Sequence, residues 1–162
     1  MLNRTINIKG DLFPLDRPVV MGILNVTPDS FFAGSRKRTE TEITTRIEEI
    51  LAQGGDWIDI GGYSSRPDAT PVTADEEMRR LELGLEILRH DYPSVPVSVD
   101  TFRADVARCC VEKYGVAMIN DISAGELDPE MFQTVADLQV PYIMMHMRGT
   151  PQTMASLTDY TN

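Results

Sequence analysis

Only two cysteines occur in these 162 residues, and they are neighbours, Cys109 and Cys110. Adjacent cysteines do not readily close a structural disulfide, and with no histidine beside them they make no zinc site. The pair reads as two small side chains on a helix, one of them facing the core. Positive charge is also scarce: Lys+Arg 15 stand against Asp+Glu 25, a net charge of −10. That balance argues against a general nucleic-acid or anionic-membrane surface. An acidic protein still binds an anion where cations and helix N-termini are concentrated at one spot. Arg66 and Arg148 are loop candidates for such a spot, and Arg36-Lys37-Arg38 is another, although a short charge run is more often a solvated loop. No apolar run approaches the length of a membrane span, and no charged-then-apolar leader opens the chain. The expectation is a soluble protein of the reducing cytoplasm. There is no low-complexity segment, no evident linker, and no G-x-G-x-x-G or P-loop to announce a nucleotide.

What the chain does have is a repeated unit, a strand followed by an amphipathic helix. The composition, 42% hydrophobic and 25% charged, is that of a globular protein, and the length fits one domain, 1–162, with a sizeable core. Ile43, Ile47, Ile50 and Leu51 fall on one helical face, with Thr39 and Glu42 spaced as a capping box and Gly54 as the stop. Thr73 and Glu76 repeat that spacing ahead of the stripe Met78, Leu81, Leu85 and Leu88. A third helix is predicted from Ala104 to Tyr114, ended by Gly115, and a fourth from Asp128 with Pro129 in its first turn. Further strands are expected at Val116 to Ile119 and Tyr142 to Met145. The alternation from Thr5 to Asp11 suits a small hairpin ahead of the main sheet. Five parallel strands with right-handed crossovers admit two architectures: a doubly wound open sheet, or a (β/α)₈ barrel cut off after its fifth strand.

Three polar clusters follow apolar runs directly, and the carboxyl ends of parallel strands are where α/β proteins place ligands. They are Leu24 to Phe31, Gly61 to Pro67, and Asp100-Thr101. Asn25 ends an apolar strand, with Thr27-Pro28-Asp29-Ser30 as a turn behind it. Its carboxamide offers an oxygen to a cation or a donor to a phosphate; equally, it is a turn Asn satisfying its own backbone. Gly61-Gly62 permits close approach of a ligand, Ser64 and Ser65 supply hydroxyls, and the planar fork of Arg66 suits a pyrophosphate. The competing reading is a Gly-rich turn with a surface Arg. Asp100 closes one strand and Asn120-Asp121 another, where they can read a heterocycle with adjacent N–H donors or simply cap helices. Asp121 reads as a cap. His146 is a ligand, a base or a hydrogen-bonded structural residue. The methionines around it are core, with one of them available as the wall of a flat pocket.

Taken in order and interval, Leu24 to Phe31, Gly61 to Pro67, Ser98-Val99-Asp100-Thr101, Asn120-Asp121-Ile122 and Met145-His146-Met147 resemble the motifs of the dihydropteroate synthase family of folate biosynthesis. The resemblance runs through nearly the whole chain. It implies a (β/α)₈ TIM barrel of the pterin-binding type, truncated after strand 5. It also implies a transferase reaction, in which a dihydropterin methyl pyrophosphate loses pyrophosphate and is joined to 4-aminobenzoate, and it makes the protein a sulfonamide target. Mg²⁺ is the implied cofactor, with Asn25 as its contact, and Arg66 and Ser65 at the pyrophosphate. Asp100 and Asn120 would hydrogen-bond the pterin, Met145 would line its pocket, and Phe31 and Pro67 would belong to loops closing over the aminobenzoate. The family is usually homodimeric.

Ser65 stands where the family has Thr, Tyr63 replaces the usual Glu, and Asp68 replaces the Gly after Pro67. Further groups that the family draws from strands six to eight lie beyond Asn162. The resemblance therefore leads us to expect an isolated chain that is inactive and depends on a longer chain or a partner. Two other readings compete: a methyltetrahydrofolate methyltransferase-type pterin domain, and a non-catalytic half-barrel that binds through its open edge.

Overall fold

The computed structural model describes residues 4–27, 36–64 and 71–160. A hairpin comes first, β1 (Thr5–Ile8) and β2 (Asp11–Pro14), antiparallel and turned by Lys9-Gly10, both with positive φ. The predicted alternation is thus a real hairpin. Five strands follow: β3 (Met21–Asn25), β4 (Trp57–Gly61), β5 (Val97–Asp100), β6 (Met118–Asp121) and β7 (Tyr142–Met144). The helices between them are α1 (Arg36–Ala52), α2 (Ala74–Asp91), α3 (Ala104–Tyr114) and α4 (Met131–Leu138).

The strand order decides between the two architectures. All four pairings are parallel and run β3-β4-β5-β6-β7 without a reversal. A doubly wound sheet reverses its order at a switch point so that helices cover both faces. Here every right-handed crossover steps the same way, which keeps all the helices on one side. The sheet is an arc of an α/β barrel, comprising five of its strands.

Alternation along each strand separates the faces. Leu24, Ile58, Ile60, Val99 and Ile119 point outward into the helical layer, all essentially inaccessible. The predicted stripes supply the other half of that core, with Ile43, Ile47 and Ile50 from α1 and Leu81, Leu85 and Leu88 from α2. At the amino end of the arc the hairpin closes the inner face: Ile6, Ile8 and Phe13 pack with Met21, Trp57 and Met118. The Phe13 and Trp57 rings meet edge-on at 5.2 Å.

Two helix starts differ from the sequence reading. α1 begins at Arg36, so Thr39 lies inside the helix and the Arg36-Lys37-Arg38 run is its first turn. α4 begins at Met131, because Asp128 and Pro129 form a separate turn. Asp128 Oδ2 instead accepts a bond of 2.7 Å from the Ala104 backbone N–H, capping α3, whose own N-cap Arg103 makes no side-chain cap bond. The cap of α2 is as predicted, with Glu76 N–H donating to Thr73 Oγ1 at 3.3 Å. Gly115 ends α3 in the left-handed region at φ 69°. Cys110 is buried against Met78, and Cys109 is its half-exposed neighbour.

Ile50 packs so closely on β3 that a Cβ at Gly22 would collide with its Cγ2; Gly55 leaves room on the other side of the same methyl. We expect Gly22→Ala to destabilise the protein by ~1–3 kcal/mol through overpacking. Ile50→Ala introduced on top should recover part of that loss relative to Ile50→Ala alone. Urea denaturation of the four forms measures the coupling.

Candidate functional site

The inner face of the arc presents its residues in level rows. The uppermost row is Asn25, Gly61, Asp100 and Asn120, each the register partner of the next across β3, β4, β5 and β6. The row below holds Ile23, Asp59, Ser98 and Met118 in the same register. Sequence reasoning singled out three residues of the upper row because each ends an apolar run. The fourth, Gly61, makes room for the others. A Cβ on Gly61 would lie 3.3 Å from Asn25 Oδ1 and 3.5 Å from Asp100 Oδ2, so both polar groups lean over the bare backbone between them. The result is a shallow cradle with a neutral amide on one side and a carboxylic acid on the other.

Four acidic side chains sit at this end of the sheet, and each is compensated differently. Asp121 takes four donors: Ser123 N–H at 2.7 Å, Ser123 Oγ at 2.8 Å, Gly125 N–H at 2.8 Å and Tyr142 Oη at 2.6 Å. It organises the turn after β6 and ties β7 to it, and it does not cap α4. Glu77, fully buried on α2, is paired with Arg103. Burial pushes its acidity down, while Thr101 and Arg103 oppose that shift. Asp59 accepts one bond, from Asn120 Nδ2 at 2.9 Å. Asp59 Oδ1 and Ser98 Oγ are buried with no hydrogen-bond partner among the described residues. Burial raises the Asp59 pKa against the pull of Asn120 and the neighbouring Ser98. Asp100 has no donor among the described residues. Burial first, then the charges of Asp59, Glu77 and Asp121, raise its pKa to about 7.

The segment leaving β4 is held at both ends. Arg80 Nη1 donates to the Gly62 carbonyl at 3.3 Å, and Arg103 Nη2 donates to the Val72 carbonyl at 2.6 Å. The Arg103 guanidinium also lies 4.8 Å from the Phe102 ring centroid and 5.3 Å from that of Tyr63. Those two rings meet edge-on at 5.0 Å. Tyr63, which replaces a Glu of the family pattern, thus joins an aromatic and cationic clamp.

Among the remaining predicted site residues, Met145 is 38% exposed just past β7, its N–H bound to the Asp121 carbonyl at 3.0 Å. His146 is exposed, with Nε2 3.1 Å from Tyr160 Oη. Arg148 donates to the Asp159 carbonyl and lies over the Tyr160 ring. Phe31, Ser65, Arg66, Pro67 and Asp68 lie outside the described residues. Asp59, Glu77 and Arg103 were not singled out from the sequence. The available signal was a charge inside an otherwise apolar strand, Trp57-Ile58-Asp59-Ile60.

A row of hydrogen-bonding groups on a barrel's inner face, at the carboxyl ends of its strands, defines the class: a ligand-binding α/β barrel. The model of the pterin-binding enzyme family matches residues 21–162, and the chain belongs to that family. It is 42% identical over 144 residues to the dihydropteroate synthase of Synechocystis sp., covering 89% of this chain and 49% of that protein. It is 44% identical over 141 residues to the folic acid synthesis protein fol1 of Pneumocystis carinii, covering 87% of this chain and 19% of that protein. Among solved structures, Xanthomonas albilineans dihydropteroate synthase with 4-aminobenzoic acid superposes with a TM-score of 0.80 at 42% identity. That match covers 91% of this chain and 53% of the other. The Yersinia pestis enzyme in a sulfonamide drug complex gives 0.81 at 34% identity, covering 98% and 56%. The chain therefore spans about half the length of the dihydropteroate synthases it matches, and less of the larger fol1 protein. Among the described residues no helix is long and apolar enough to cross a membrane.

The folded state keeps a proton on Asp100 between its ordinary value of 3.8 and about 7, where the unfolded chain has released it. The associated stability is full below the lower value and is lost as pH rises through the upper one. We expect Asp100 to lower the melting temperature as pH rises between about 4 and 7. Asp100→Asn should make that slope shallower by removing its share, with Asp59 and Glu77 contributing the rest. An unchanged slope in the variant would refute the assignment.

Proposed function

We propose that this chain carries part of a dihydropteroate synthase active site. The reaction joins 4-aminobenzoate to the methylene carbon of (7,8-dihydropterin-6-yl)methyl diphosphate. The amine nitrogen forms the new bond to carbon, the carbon–oxygen bond to diphosphate breaks, and the amine gives up a proton. The observation that carries the reading is the cradle over Gly61, with Asn25 on one side and Asp100 and Asn120 on the other. Asp100 and Asn120 would take the ring N–H and amino donors of the pterin, and Met145 would lie along its face. Ser65 and Arg66 would hold the diphosphate, with Phe31 and Pro67 beside the aminobenzoate.

Among the described residues no group of three His, Cys, Asp or Glu could hold a metal. The single oxygen that Asn25 directs over Gly61 fits an ion that arrives with its diphosphate and keeps its waters, as Mg²⁺ does, and does not fit a protein-built cage. In that role Mg²⁺ would neutralise charge on the departing diphosphate. We further infer small-molecule substrates, no nucleic acid or membrane partner, a cytoplasmic location and a homodimer as the assembled form.

The test is dihydropteroate formation from the pterin diphosphate and 4-aminobenzoate with Mg²⁺, using protein expressed from the complete reading frame. Turnover, together with competition by free pyrophosphate, is the expected result. A protein that binds methyltetrahydrofolate, ignores pyrophosphate and forms no dihydropteroate would instead be a methyltransferase-type pterin domain. Concentration-dependent self-association without either ligand would point to a binding module.

A further inference from the structure

Asp59 has no place among the ligand contacts above, yet its setting is unlike that of a structural carboxylate. It lies on β4 one row below the cradle, 6% exposed. Its register partners are Ile23 and Ser98, and its hydrogen bond reaches past β5 to Asn120 on β6. A carboxylate has about four acceptor positions. Asp121, two strands away, uses them on four donors and so fixes a turn. Asp59 receives one amide donor, and its other oxygen is buried with only the Ser98 hydroxyl of the neighbouring strand to turn to. Burying an ion so incompletely compensated weakens a fold, and an apolar residue of similar size would serve the core better. The one bond that Asp59 does make goes to an amide in the ligand row.

A carboxamide can turn either its NH₂ or its oxygen toward a given neighbour, and the network decides which. Here Asp59 Oδ2 accepts from the NH₂ of Asn120, which leaves Asn120 Oδ1 free of that bond. We propose that Asp59 is a positioning residue: its bond to Asn120 Nδ2 turns the Asn120 carbonyl oxygen to the ligand, so that the site offers two acceptors, Asn120 Oδ1 and the Asp100 carboxylate. Without Asp59 the amide is free to present its NH₂, and a ligand bearing two adjacent N–H donors then meets a donor where it needs an acceptor. Mismatched buried donors are rejected far more strongly than a missing methylene. The proposal rests on the reading that a pterin occupies this row.

The experiment separates the two. In the wild-type protein, a scalar coupling across the hydrogen bond between Asn120 Nδ2 and the Asp59 carboxyl carbon, with one slowly exchanging amide proton, is expected by NMR. Its absence overturns the proposal without any variant or ligand. Binding of 7,8-dihydropteroate is then compared in wild type, Asp59→Ala and Asp59→Asn. The Ala variant, measured below its melting temperature, should bind about 10- to 100-fold more weakly. The Asn variant can still accept from Asn120 through its own oxygen and should stay within about threefold of wild type. It should also move the pH midpoint of binding downward, since the charges facing Asp100 are Asp59, Glu77 and Asp121 and one of them is gone. Equal affinity in Asp59→Ala overturns the proposal. A wild-type protein that shows the coupling but binds no dihydropteroate refutes the proposed function and leaves the Asp59–Asn120 orientation standing.

Discussion

The constraint on which this end of the molecule depends is the burial of acid. Asp59, Glu77, Asp100 and Asp121 converge where β4, β5 and β6 end, and a buried ion must be compensated or neutralised. The compensation is graded. Asp121, facing away from the inner row, is saturated and rigid. Glu77, between α2 and the segment after β5, has a guanidinium. Asp59 has one amide, and Asp100 has no donor among the described residues. The deficit increases toward the inner face, so the unmet hydrogen-bonding capacity is collected at the place where a ligand can supply the donors. Perturbed carboxylates gathered at the carboxyl ends of barrel strands are candidates for a functional site.

The same gradient ties site to scaffold. Arg103 neutralises Glu77 and also holds the Val72 carbonyl, lies against the Tyr63 and Phe102 rings, and ends the segment that follows Asp100 and Thr101. One side chain therefore fixes the far ends of both the β4–α2 and the β5–α3 connections. A Tyr in place of the family's Glu at 63 fits this arrangement: with Glu77 already opposite the guanidinium, a ring offers Arg103 a partner without adding a further charge to an acidic cluster.

Much of this was legible in the sequence, and the rest was hidden for identifiable reasons. Asn25, Asp100 and Asn120 stood out because a polar residue terminating an apolar strand is a local signal that burial alone does not explain. Asp59 gave a weaker signal, since alternation on a strand buried on both faces reads as continuous apolarity. Glu77 sat in a run of acids at a helix start, Asp75-Glu76-Glu77, where favourable interaction with the helix dipole accounts for all three equally well. Only the fold brings Arg103 to the first turn of that helix. The misplaced start of α4 has the same origin: Asp128 has capping chemistry, but the N–H it caps belongs to α3, and a cap residue does not declare which helix it serves. The choice between open sheet and barrel was undecidable by pattern because both use identical βα units; the direction of successive crossovers is a property of the assembled sheet.

The cradle over Gly61 also answers a difficulty in the proposed chemistry. A carboxylate close to a diphosphate repels it, and in a partly desolvated site that repulsion is weakly screened. The row meets this in two ways. It places the neutral amide of Asn25 on one side of the glycine and the acid on the other, so that the anionic end and the N–H-bearing end of an elongated ligand would face different groups. And it holds Asp100 near the midpoint of its titration at neutral pH, where the group can be neutral while the site is empty and ionise once a ligand brings N–H donors to it. Burial that would be a defect in a structural carboxylate thus leaves an acid whose ionised form the N–H donors of a ligand can compensate.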